Sequence, residues 1–317
     1  MRFFTTPNYD FVRWRWHAIA LSLAVILAGA FMIGTRGLQK GVDFEGGTIV
    51  IVHFAQPTEL GRLRDLFGGD AVIQQYGERS KNEILIRVKR TGSETGANLS
   101  AEADKVISTL RGSNLGNFDI VGTEIVGPVV GEQLRKQGVL ATVAAMAGIV
   151  IYIGLRFQFS FAIGAIVATL HDILICLAFL AFFKYDMTLN VVAGLLTITG
   201  YSVNDTIVIF DRVRENVRGM RRDNLSTIVN TAVNQTLSRT IITAGTTLFS
   251  VIALYLFGGE VLEGFAFTML VGIISGTYST IFIAASLAIL FQGRRPLKGQ
   301  PAASASAAAK PNRRRAS

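Results

Sequence analysis

The sequence has one cysteine, three histidines and six prolines in 317 residues, and charged residues make up only 17% of it. The lone Cys176 excludes a disulfide within the chain and any cysteine-based metal cluster. His53 stands alone in an apolar run, the setting of a packed side chain rather than a metal ligand. No G-x-x-x-x-G-K-[ST] segment occurs, and the glycine-rich stretch from Gly41 to Thr48 lacks the Lys and Ser/Thr that would follow in a phosphate loop, which argues against ATP hydrolysis. Soluble proteins carry about 25% charged residues, so the shortage of charge argues against an ordinary soluble enzyme.

Apolar residues are abundant instead: 50% of the chain is hydrophobic and the mean hydropathy is +0.43. They concentrate in the first 35 residues and from 138 to 291. About 20 apolar residues span a bilayer core, and six segments come close to or exceed that length: Trp16–Thr35, Gly138–Leu155, Ser160–Phe183, Met187–Phe210, Thr240–Phe257 and Gly264–Phe291. This predicts a polytopic α-helical membrane protein with a cytoplasmic N-terminus (1–15), a first helix (16–35), a polar domain (36–137), helices two to six (138–291) and a disordered basic tail (292–317). Arg13 and Arg15 ahead of an apolar run with Ala28-Gly29-Ala30 also leave open a cleaved signal peptide for the first segment.

Lys and Arg flanking the spans set orientation. The N-terminus, the Arg156 turn, the 211–239 link and the tail hold 17 basic residues, against one, Lys184, in the short loops of the other side. Both termini are therefore expected in the cytoplasm, with the polar domain outside. The net charge of +9 resides on the cytoplasmic segments and reads as an orientation and lipid-headgroup signal rather than nucleic-acid binding. Within the polar domain, the β-branched run Thr48–Phe54 predicts a strand, Thr58–Phe67 a helix, Val72–Tyr76 and Glu83–Val88 a hairpin, residues 100–110 a helix and Phe118–Val126 a last strand. That order, β-α-β-β-α-β, is the pattern of a small α+β ferredoxin-like sandwich.

Ionisable groups inside spans cost about 2.5 to 3.5 kcal/mol near the centre on insertion scales and are functional candidates by default. Three stand out. Asp172, beside His171, lies in the third span; Asp205, beside Asn204, lies in the fourth; Arg239 opens the fifth. A turn near Gly219–Asp223 would bring Asp205 and Arg239 to a common depth. A carboxylate so placed responds to desolvation and to a nearby guanidinium in opposite senses, which suits a group that gains and loses a proton. A static ion pair fits the same spacing, and a packed polar pair is the alternative for His171 and Asp172. Tyr201, Asn204 and Asp205 fall near one face of the fourth span, and Thr243 lies at the start of the fifth, where hydroxyls aid helix packing or support water.

Three motifs carry a family resemblance: Gly41-Val42-Asp43-Phe44-Glu45-Gly46-Gly47-Thr48; Gly200-Tyr201-Ser202-Val203-Asn204-Asp205-Thr206 running into Phe210-Asp211-Arg212-Val213-Arg214-Glu215-Asn216; and Asn234-Gln235-Thr236-Leu237-Ser238-Arg239-Thr240. With their order and spacing, they make residues 8–293 resemble the SecF family of protein translocase subunits, relatives of the RND superfamily. The resemblance implies a non-enzymatic subunit of the bacterial inner membrane that pairs with SecD. It also implies partnership with the SecY-E-G channel, SecA, YajC and the translocating preprotein, driven by the proton gradient, with no cofactor beyond the coupling ion. It assigns proton coupling to Asp205 and Arg239, an accessory place to His171 and Asp172, and a family loop motif to Asp43, Gly46 and Gly47. A small-molecule exporter of RND type and a purely structural assembly subunit are the competing classes.

Overall fold

A backbone crossing hydrocarbon must satisfy its own hydrogen bonds, so apolar runs of this length become helices. The computed structural model describes residues 8–67, 71–76, 81–88, 99–113, 115–157 and 159–292, and six of its helical stretches are long and apolar enough to cross a membrane. They are α1 (Arg15–Arg36), α5 (Pro128–Arg156), α6 (Phe159–Phe183), α7 (Leu189–Gly219), α8 (Leu225–Phe257) and the sixth span, which comprises α9 (Glu260–Ser279), a π turn (Thr280–Ala284) and α10 (Ala285–Gln292). The expected tail lies outside the described residues.

Three helices run well past the apolar segments expected from hydropathy. α5 starts at Pro128, ten residues before the apolar run, because proline is pre-organised for a first helical position and Glu132 with Lys136 pairs across one turn at 2.8 Å. The 211–239 link is likewise almost all helix: α7 continues to Gly219 and α8 begins at Leu225, where Asn224 Oδ1 accepts the Thr227 N–H at 2.8 Å as an N-cap. Polar helix has no hydropathy signal, so only the turn between the two was legible.

The inner helices are α6, α7 and α9–α10. In the sixth span 61% of the most apolar window is buried, against 6% for α5 and 11% for α8. Without a hydrophobic drive between helices in lipid, close packing of small residues holds them together. A Cβ on Gly164 of α6 would come within 2.8 Å of the Ala284 carbonyl oxygen, and one on Gly276 of α9 within 3.2 Å of Ser202 Cβ.

Between α1 and α5 lies the small domain. The chain leaves α1, makes the short helix α2 (Val42–Glu45) and enters β1 (Gly47–Phe54), followed by α3 (Leu60–Phe67), β2 (Ala71–Tyr76), β3 (Glu83–Val88), α4 (Leu99–Arg111) and β4 (Phe118–Val126). The sheet order is β2-β3-β1-β4, antiparallel throughout, with Val50 opposite Ile86 and Thr123. This is the ferredoxin-like arrangement expected from the element order. Strand alternation sends Val50, Val52, Phe54, Ile84 and Ile86 to a core under α3 and α4, and Ile49, Ile51 and Leu85 to the opposite face. That second face borders a cavity of about 590 Å³ that also touches Phe183, Tyr185 and Asn190 at the ends of the spans nearest the small domain.

Candidate functional site

The membrane bundle carries two carboxylates, and α7 contributes to the surroundings of both. Asp205 sits on the side of α7 facing α8. Its Oδ1 accepts the Thr240 hydroxyl at 2.8 Å, while Oδ2 is buried with no hydrogen-bond partner. Arg239 does not reach it. One residue turns a helix by about 100°, so with Thr240 and Thr236 facing inward, Arg239 is exposed on the flank of α8. Among the described residues Asp205 has no ion-pair partner, and the Arg239 charge acts on it through space only. The common depth inferred from the turn is realised; the direct contact is not.

Around Asp205 the expected polar face divides. Tyr201 is partly buried against the Ile198, Val251 and Met269 cluster. Asn204 and Thr197 on α7 are exposed, as are Arg239, Thr243 and Thr246 on α8. Thr243 serves its own helix, its carbonyl accepting the hydroxyls of Thr246 and Thr247 at 3.0 and 2.9 Å. A polar stripe of two neighbouring spans is thus uncovered by this chain.

Asp172 is the opposite case. It is 1% exposed and lies where α6, α7 and α9 meet. Ser202 of α7 and Ser279 of α9 donate to its Oδ2 at 2.5 and 2.7 Å, Ser275 of α9 donates to Oδ1 at 2.7 Å, and His171 Nδ1 lies 3.0 Å from Oδ1. One turn along, the hydroxyls of Thr206 and Thr280 meet at 3.0 Å. Sequence reasoning missed the three serines. The available signal was Ser275 and Ser279 at i and i+4 on one face of an apolar helix, together with Ser202 inside the Asp205 motif.

At the end of the bundle nearest the small domain, the glycine motif anchors that domain to the helices. Gly46 and Gly47 take φ values of 72° and 135°, where a side chain is strained, and they turn the chain from α2 into β1. Asp43 Oδ2 accepts the Leu189 N–H at 2.9 Å, satisfying a free donor in the first turn of α7. The Gly41 N–H bonds the Met187 carbonyl and the Met187 N–H bonds the Gln39 carbonyl, both at 2.7 Å. Arg87 of β3 pairs with Asp186 in the α6–α7 loop. In the same loop, Tyr185 donates to Glu263 at 2.6 Å, and burial first, then the bonds to Glu263 and Tyr255, push its hydroxyl well above the usual tyrosine range.

At the other end, two of the motifs brace the helices. Gln235 Oε1 of α8 accepts from Arg212 Nε at 2.7 Å and Asn216 Nδ2 at 3.0 Å on α7. Asn230 and Asn234 hold the backbone of Tyr9, the Asn234 side chain both accepting its N–H and donating to its carbonyl. The described residues contain no group of three or more His, Cys, Asp or Glu placed to hold a metal.

Residues 105–294 match the family described as protein export membrane protein SecD/SecF, C-terminal, and residues 31–58 match the SecD/SecF GG motif. The chain belongs to the SecD/SecF family. Among its relatives, the protein translocase subunit SecF of Desulfurispirillum indicum is 42% identical over 93% of this chain and 94% of that protein. The SecF of Escherichia coli O157:H7 is 39% identical over 89% of this chain and 87% of its own length. The crystal structure of SecDF from Thermus thermophilus, a translocon-associated membrane protein, superposes with a TM-score of 0.79 at 31% identity. That match covers 90% of this chain and 39% of the SecDF chain. The GG-motif match falls on the turn at Gly46 and Gly47, and the C-terminal match spans α5 to α10 with both intramembrane carboxylates. This SecF-family chain is therefore a multi-pass membrane protein of the translocase type.

Proposed function

We propose that this chain is the SecF subunit of a SecD–SecF complex that uses the proton gradient to promote preprotein export through the Sec channel. The observation that carries the proposal is Asp205: an intramembrane carboxylate held by one hydroxyl of a facing helix, with its second oxygen buried and unpartnered. Protonating it adds a donor where none is present and removes a charge costly to keep in the membrane. The Thr240 bond and the attraction of Arg239 then weaken together, and α8 shifts against α7. Because Asp43 holds the first turn of α7 and Arg87 holds the α6–α7 loop, such a shift is transmitted to the outer domain. One charge crossing 100 mV releases about 2.3 kcal/mol, comparable to one or two such contacts.

The uncovered polar stripe of Asn204, Thr197, Arg239 and Thr243 is where SecD fits, since lipid is a poor neighbour for these groups. SecY-E-G, SecA, YajC and the emerging preprotein complete the assembly in the bacterial inner membrane, with both termini cytoplasmic and the ferredoxin-like domain outside. No covalent chemistry is involved. Asp205→Asn keeps the shape and the acceptor for Thr240 but cannot ionise. It should abolish gradient-dependent export in membrane vesicles while co-purification with SecD is retained. Normal gradient-dependent export by the variant would overturn the proposal.

A further inference from the structure

The coupling scheme above uses Asp205 and leaves a second buried ionisable pair without a task. Asp172 receives four donors, from Ser202, Ser275, Ser279 and His171. An ionised carboxylate can only accept, so beside ionised Asp172 His171 Nδ1 carries the hydrogen toward Oδ1. His171 Nε2 is then left as an acceptor. It is buried without a partner, on a side chain 7% exposed.

The surroundings hold no other charge to balance Asp172. On α6 itself the neighbouring titratable group is the buried Cys176. From α7 comes Ser202, with Asp205 one turn further and bonded to Thr240 instead. From α9 come Ser275, Ser279 and Tyr278, whose ring stacks on His171 at 6.4 Å and whose hydroxyl donates to the Ala18 carbonyl of α1 at 2.7 Å. The π turn and α10 bring no ionisable group, α1 brings Arg15, the exposed His17 and the exposed Arg36 at its two ends, α5 brings the exposed Tyr152 between Val139 and Leu155, and the Arg239 of α8 is exposed.

We infer that His171 Nε2 is a second intramembrane proton-binding site, with Asp172 as its fixed counter-ion. Uptake forms one N–H bond at Nε2 with a proton delivered by hydronium, and turns a buried net charge of minus one into a neutral imidazolium–carboxylate pair; release returns the proton to water. The new Nε2–H then needs an acceptor, so the change is read where His171 meets Tyr278 and α1, away from the α7–α8 contact that Asp205 controls. Histidine suits the task because its free imidazole titrates between about pH 5 and 8.

The chain has three histidines, so ¹⁵N-histidine labelling of the full-length protein in lipid bilayers gives three imidazole signals, and solid-state NMR separates protonated from unprotonated nitrogens. His171→Gln identifies the His171 signal; His17→Gln and His53→Gln identify it by elimination if that variant does not fold. In the wild type, acidification of the sample should convert Nε2 from unprotonated to protonated, with Nδ1–H retained. The transition should persist in Asp205→Asn, which separates it from the export proposal, and should be lost in Asp172→Asn. An Nε2 that stays unprotonated throughout, or a transition unchanged in a folded Asp172→Asn, would overturn the inference.

Discussion

Ser202→Ala tests the Asp172 cluster most directly. Ser202 is 1% exposed and makes a 2.5 Å hydrogen bond to a carboxylate. Interhelical hydrogen bonds in membranes average about 0.6 kcal/mol and reach about 1.7, and bonds to charged groups lie at the upper end, about 1.5 to 3 in general. The expected loss is therefore about 1 to 2 kcal/mol. Cavity formation adds little, because removing one hydroxyl beside Gly276 leaves less space than a methyl group. In the Asp172→Asn background the amide offers one acceptor oxygen to donors that previously shared two, so the further cost of Ser202→Ala should fall below about 0.5 kcal/mol. That corresponds to a coupling energy of about 1 kcal/mol in the double-mutant cycle. Thr169→Val is the control: Thr169 is also buried, but its hydroxyl bonds the Ala165 carbonyl of its own helix at 2.9 Å, and its loss should be smaller and independent of Asp172. Reversible unfolding by steric trapping in lipid bicelles measures all of these. Equal Ser202→Ala costs in the two backgrounds, additive within about 0.3 kcal/mol, would refute the idea that Asp172 gathers the helices.

Two further outcomes follow from packing and from the α6–α7 loop. Gly164→Ala should destabilise the bundle by about 1 to 3 kcal/mol, because its Cβ meets the Ala284 backbone, whereas Gly148→Ala on α5, with nothing within 4 Å, should be neutral or stabilising by up to about 1 kcal/mol through helix propensity; equal effects in the same unfolding assay would contradict the packing. Tyr185 is held protonated by the fold, so its contribution is fully present below the usual tyrosine range near pH 10 and fades only as pH rises beyond it. Tyr185→Phe should accordingly leave the tyrosinate absorbance at about pH 10 unchanged, and a drop of about half a tyrosine equivalent there would show that the hydroxyl is not held this way.

The six spans, the ferredoxin-like strand order and the isolated carboxylates were legible in the sequence because each depends on local properties. Hydropathy over a 20-residue window decides a span, alternation decides a strand face, and one charge in an apolar run is conspicuous wherever the chain folds. Gly46 and Gly47 were legible as turn residues for the same reason. The helical extensions of α5, α7 and α8 escaped, since polar helix carries no membrane signal.

What only the tertiary structure decided is which side chains share a site. Spacing placed Asp205 and Arg239 at one depth, but helix phase sends Thr240 to the carboxylate and turns Arg239 to the open flank. Asp43 came to accept the first-turn N–H of Leu189 on α7 although 146 residues separate the two. Above all, Asp172 gained its serines from positions 30, 103 and 107 residues away. No local pattern encodes such convergence. It follows from the close approach of α6, α7 and α9, which brings hydroxyls from two helices onto one carboxylate that the membrane would not otherwise tolerate.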